Sequence, residues 1–196
     1  MPNMSTNTIA VKGKKSDVIH WLNTGLQETK AAADMTEKDI AIILYDTQLT
    51  LDSFNPTPET PDKHGATPLE CWRIEGQGDE LIVFTSCETA WIYPDSWLET
   101  MQLHYPNLTF FCRAREEFGE YNGFLCARDP EVWIDHYPNE WERARDVVKA
   151  QREAAGEEFN EEEECDAIED AVVFLNFKMD DRFEEYIRNY HLEDHI

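Results

Sequence analysis

Two strand-like runs, Leu69–Glu75 and Leu81–Cys87, are separated only by residues 76–80, with Gly76-Gln77-Gly78-Asp79 as the turn. A connection that short closes a hairpin, because parallel neighbours need a crossover of a dozen or more residues. An antiparallel pair therefore lies in the middle of the chain, and the other elements must be arranged around it. The same glycines do not form a phosphate-binding loop, since a strand follows them and not a helix.

On the N-terminal side, Thr6–Lys12 alternates Thr8 and Ala10 with Ile9 and Val11, a strand pattern that Gly13 is expected to end. Ser16 reads as a helix cap before Val18, Ile19, Leu22 and Leu26. Thr36 caps a second helix, with Asp39 three residues on. Residues 52–68 hold Pro56, Pro58, Pro61, Pro68 and Gly65, and form a long loop of the kind that is usually functional or mobile.

Beyond the hairpin, Pro94 opens a helix carrying Trp97, Leu98, Met101 and Leu103. Tyr105-Pro106-Asn107 stops it, and Leu108–Arg113 alternates as a strand. Phe118–Ala127 and Glu131–Ile134 predict two further strands. After Pro138 the texture is helical: Glu140–Ala155, a break at Gly156, and a helix capped by Asn160 that runs through Glu161–Glu164 with Ile168, Ala171, Val172 and Leu175 on one face. A last amphipathic helix is expected near Asp180, with Phe183, Tyr186, Ile187 and Tyr190. These elements predict an α+β fold, with an α+β domain over 1–137 and an acidic helical extension over 138–196.

Charge limits what such a chain can bind. Its 196 residues carry 41 acidic and 17 basic side chains, a formal net charge of −24. Residues 139–196 alone hold 19 acidic and 7 basic, so this segment is about twice as densely charged as the rest. Such a surplus repels nucleic-acid phosphates and anionic lipid, and it favours approach to basic protein surfaces. No run approaches the ~20 apolar residues of a membrane-spanning helix, and the opening residues lack the apolar core of a signal peptide. Five scattered cysteines, with no C-x-x-C pair, fit reduced thiols in a cytoplasm.

The residues offer no reactive constellation. Cys71, Cys87, Cys112 and Cys126 fall in predicted strands and read as small core residues. His191 and His195 share i, i+4 spacing, but a lone pair is too little for a metal site. No nucleophile elbow or phosphate-binding loop occurs. The expectation is a protein that is not an enzyme and that uses neither metal nor cofactor.

Two stretches carry a family likeness. Met1-Pro2-Asn3 and Asn7 precede Gly13 at the start. In the middle stand Phe84-Thr85-Ser86 with Trp91, Pro94, Trp97-Leu98, Tyr105-Pro106-Asn107-Leu108-Thr109-Phe110, and Glu117 with Gly119. In this order and spacing, residues 1–135 resemble the YubB-type ferredoxin-like proteins of phages and plasmids. Cys71-Trp72-Arg73-Ile74-Glu75-Gly76 stands where that family often has Trp-Gly-Thr-Lys-Trp. The resemblance implies a ferredoxin-like βαββαβ antiparallel sheet packed by helices, with no iron–sulphur cluster. It also implies a mobile-element setting, and no particular chemistry.

Charge and likeness together predict an acidic binding protein of phage or plasmid type that engages a basic surface of a host protein. A DNA-mimicking inhibitor of a defence nuclease is one form of it. Its acidic face is expected from Glu157, Glu158, Glu161, Glu162, Glu163, Glu164, Asp166, Glu169 and Asp170. Trp91, Tyr93 and Trp97, around a proline turn, are expected as aromatic contacts. The alternatives are a structural or homo-oligomerising module, and a small enzyme with the 52–68 loop as a lid.

Overall fold

The computed structural model describes residues 3–26, 31–32, 34–47, 49–54, 67–90, 92–117, 121–129, 133–134, 136 and 139–191. Most of the 52–68 loop, and Trp91, lie outside these residues. The fold is α+β, built on a five-stranded antiparallel sheet.

The strands are β1 (Met4–Lys14), β2 (Glu70–Gln77), β3 (Glu80–Ala90), β4 (Thr109–Glu116) and β5 (Asn122–Cys126), in the spatial order β2-β3-β1-β4-β5. β2 and β3 form the expected hairpin, with Gly78 at φ 65° in its turn, a left-handed conformation that glycine adopts without strain. β1 pairs with β3 on one side and β4 on the other, so the first strand occupies the centre of the sheet. It runs on through Gly13 where the sequence predicts a stop. There Asn107 and Leu108 approach the backbone so closely that a Cβ would collide with the Leu108 side chain.

One face of the sheet is covered by α1 (Lys15–Gly25), α2 (Glu37–Asp46), a 3₁₀ turn at Leu51–Phe54, and α3 (Asp95–His104). The apolar alternation of the strands directs Ile9, Val11, Leu81, Val83, Phe110 and Cys112 into this layer, against Trp21, Leu22, Ile40, Leu44, Phe54 and Leu98. Thr36 caps α2 as read from sequence. Its hydroxyl accepts from Asp39 N–H, and Asp39 accepts from the Thr36 N–H at 3.0 Å.

The opposite face belongs to the helices after residue 139: α4 (Glu140–Ala155) and α5 (Cys165–Asn189). The first half of α5 packs on α4 through Ile168, Ala144 and Val148. Its second half lays Met179, Phe183 and Ile187 over Ala10, Ile82, Phe84, Phe111 and Phe124. The segment expected as an extension thus shares a core with the sheet.

Two readings of this region need correction. Asn160 does not open a helix through the glutamates. Its carbonyl accepts from both Glu163 and Glu164, its side chain accepts from Glu162, and Glu161–Glu163 form a turn before α5 begins at Cys165. The two helices expected after it are one helix of 25 residues, because nothing between Cys165 and Asn189 breaks the backbone ladder.

Candidate binding surface

α4 and α5 form a hairpin whose turn is held by named contacts. Asn139 caps α4 by accepting from Glu142 N–H at 3.0 Å. Gly156 ends α4 in the left-handed region at φ 75°, and its N–H reaches back to carbonyls of the last turn. Arg152 then closes the connection, meeting Glu157 at 2.8 Å and Glu164 at 2.7 Å. Those hydrogen bonds, to Glu164 first and then Glu157, raise the guanidinium's proton affinity above its ordinary value.

This arrangement sorts the nine acidic residues expected at the surface. Glu157 and Glu164 share the single charge of Arg152 and belong to the turn. Glu158, Glu161, Glu162, Glu163, Asp166, Glu169 and Asp170 are exposed and form no ion pair among the described residues. The glutamates occupy the turn and the aspartates with Glu169 occupy the first turns of α5, so the unpaired carboxylates gather at one end of the hairpin.

The aromatic expectation fares differently. Trp97 is a core residue, 6% exposed, and its Nε1 donates to Leu51 O at 2.9 Å. A helix that buries Leu98 and Met101 carries its neighbour inward on the same face. Tyr93 is partly buried between Tyr121 and Trp133, with ring centroids 5.9 and 4.8 Å away. Trp91 is outside the described residues, so the three do not form a described contact surface.

Sequence reasoning missed a polar network behind the sheet. Arg113, 5% exposed on β4, donates to Asp180 at 3.0 Å and Asn176 at 3.1 Å on α5. Glu140, at the start of α4, accepts from Arg115 at 3.1 Å, from Asn122, and from Asn176 at 3.3 Å. Burial lowers Arg113's proton affinity and raises that of Asp180, each partly offset by the other's charge. The bonds fasten both helices to β4 and β5, while the Asn122 Oδ1 is buried without a hydrogen-bond partner. The partners lie far apart in the chain, and no local pattern announces them.

Burial drives the Cys112 thiol well above its ordinary range and raises that of Cys126, which keeps both protonated and inert. An open depression of about 410 Å³ is lined by Thr6, Thr67, Pro68, Glu70, Ser86, Cys87 and Glu88; Cys87 is itself buried. Among the described residues, no group of three His, Cys, Asp or Glu is placed to hold a metal ion, and no helix is long and apolar enough to cross a membrane. No family model matches the chain, and neither a curated protein nor a solved structure does.

Proposed function

We propose that this chain is a non-enzymatic binding protein of phage or plasmid type, which presents the acidic end of the α4–α5 hairpin to a basic surface on a host protein. The observation that carries the reading is the pairing pattern at the turn. The nearby Arg152 is consumed by Glu157 and Glu164, and seven carboxylates around it stay exposed and unpaired. A structural need for these charges would have matched them with cations. Left unmatched, they cost self-repulsion and supply a concentrated negative field.

Such a field suits a groove that otherwise holds nucleic-acid phosphates, and a DNA-mimicking inhibitor of a defence nuclease is the form the reading takes. The strand order β2-β3-β1-β4, with helices between β1 and β2 and between β3 and β4, supports a ferredoxin-like plan with β5 added at one edge. That plan agrees with the YubB-type likeness of residues 1–135.

The test is competition. Candidate host nucleases and other DNA-binding proteins are titrated with the chain in the presence and absence of duplex DNA. A true partner loses about tenfold in affinity as salt rises from about 50 to about 200 mM, and DNA displaces the chain. The variant E158Q/E161Q/E162Q/E163Q binds at least about tenfold more weakly. Binding that ignores salt, DNA and these substitutions overturns the reading.

A further inference from the structure

α5 has a second apolar face. Its inner stripe, Ile168, Met179, Phe183 and Ile187, is buried. On the opposite side Val173, Phe174 and Phe177 are 53%, 54% and 65% exposed, and their i, i+3 and i, i+4 spacing makes them one patch. Three large apolar side chains open to water on a chain this polar mark a place where something docks.

The charges around the patch select the occupant. Asp166 and Asp170 lie on the same outer stripe two turns and one turn before Phe174, and Asp181 and Glu185 lie just after the patch; all four are exposed. Lys178 is the cation beside the patch, and its ammonium already rests over the Phe174 ring, 4.5 Å from the centroid. A second copy of this chain is a poor fit. Two-fold antiparallel pairing about the phenylalanines sets Asp170 against Asp181 and Asp166 against Glu185, and parallel pairing sets each carboxylate beside its own copy. A chain of net charge −24 resists either arrangement.

We infer that the outer face of α5 docks a basic amphipathic helix of a partner protein, seating its apolar stripe on Val173, Phe174 and Phe177 and its cations on the flanking carboxylates. Asp170 and Asp181 are eleven residues apart, about 16 Å along the helix, so the partner carries Lys or Arg at matching separation on either side of two or three apolar residues. The aromatic pair supplies the anchor and the carboxylates set register and encounter rate. This deepens the reading of an acidic protein that binds basic surfaces, and rests on it.

The probe is a fluorescein-labelled Leu/Lys helical peptide with cations at that separation, set against a scrambled peptide of equal composition and followed by anisotropy with the full chain. The helical peptide is expected to bind about tenfold more tightly than the scrambled one. F174S/F177S abolishes that preference, F174L/F177L restores most of it, and circular dichroism stays unchanged because both rings are exposed. D170N/D181N weakens the helical peptide about tenfold and flattens its salt dependence.

Equal affinity for the two peptides overturns the proposal. So does an F174S/F177S chain that keeps the preference, a dimer in sedimentation equilibrium that these substitutions dissolve, or co-sedimentation with neutral phosphatidylcholine vesicles. The E161Q/E162Q/E163Q variant separates the two readings. A retained preference for the helical peptide upholds the α5 patch even where charge-driven binding at the turn is lost, whereas failure of the unaltered chain to bind either peptide at low salt removes both.

Discussion

An ammonium group that is almost wholly enclosed needs acceptors, and Lys12 finds them at the far end of the chain. Its Nζ donates to Ile187 O at 3.0 Å, Arg188 O at 3.2 Å and Tyr190 O at 2.8 Å, with Glu80 at 3.8 Å. The side chain thereby caps the C-terminal end of α5, where carbonyls lack partners and the helix dipole favours a cation. Burial lowers the lysine's proton affinity, and the Glu80 charge works against that effect. Replacing Lys12 with Ala leaves buried acceptors unmet and is expected to cost about 2 kcal/mol, read as a lower urea midpoint. Hydrogen exchange should show α5 loosening from its C-terminal end before the sheet opens. A lysine in an alternating strand reads as a surface position, so sequence alone offers no sign of this role.

At the scale of elements, Gly156 and the Thr36–Asp39 pair make separate predictions. The left-handed backbone at Gly156 disfavours a Cβ, so Gly156→Ala should lower stability by about 1 kcal/mol, measured by thermal denaturation. Asp39 has its proton affinity lowered by hydrogen bonds from the Thr36 side chain and backbone. A carboxylate depressed in the folded state contributes stability that is fully present above its ordinary value of 3.8 and is lost as pH falls through the lower folded value. Below about pH 4, α2 should therefore fray in the native chain, and Asp39→Ala should remove that part of the acid dependence, as followed by exchange of the α2 amides.

The same pair shows what was legible. Thr36 and Asp39 are three residues apart, and a capping box is a local pattern. The hairpin at Gly78 and the order of elements from β1 to β5 were legible for the same reason, whereas Ile134, expected in a further strand, makes only an isolated bridge to Phe124. The length of α5 was not: Asp180-Asp181 interrupts the apolar rhythm and suggests a boundary, yet no Gly or Pro breaks the backbone. Trp97 looked like a contact residue because it follows a proline turn, and its burial is decided by Leu51 and the packing of α3. Of the acidic residues, the exposure of Glu158, Glu161, Glu162, Glu163, Asp166, Glu169 and Asp170 was readable from their polarity; the pairing of Glu157 and Glu164 was not, since it depends on where the turn places Arg152.

For the whole molecule, a net charge of −24 makes salt act in two directions. Screening relieves repulsion among carboxylates inside one molecule, so the melting temperature should rise between about 20 and about 200 mM NaCl. Over the same range affinity for a basic partner should fall. Parallel differential scanning calorimetry and binding titrations would detect the opposed slopes; a melting temperature that drops with salt would show that favourable ion pairs, such as Arg73 with Glu184 at 2.7 Å, outweigh the surplus.

The reach of Lys12 also has a consequence for synthesis. Its acceptors lie 175 to 178 residues downstream, so β1 leaves the ribosome long before them. Until α5 emerges, Phe84, Phe111 and Phe124 have no cover on that side of the sheet. At roughly 5–20 residues per second, that interval lasts seconds, during which the nascent chain offers an aromatic surface to a holding chaperone. Arrival of the last helix buries the rings and the ammonium in one step.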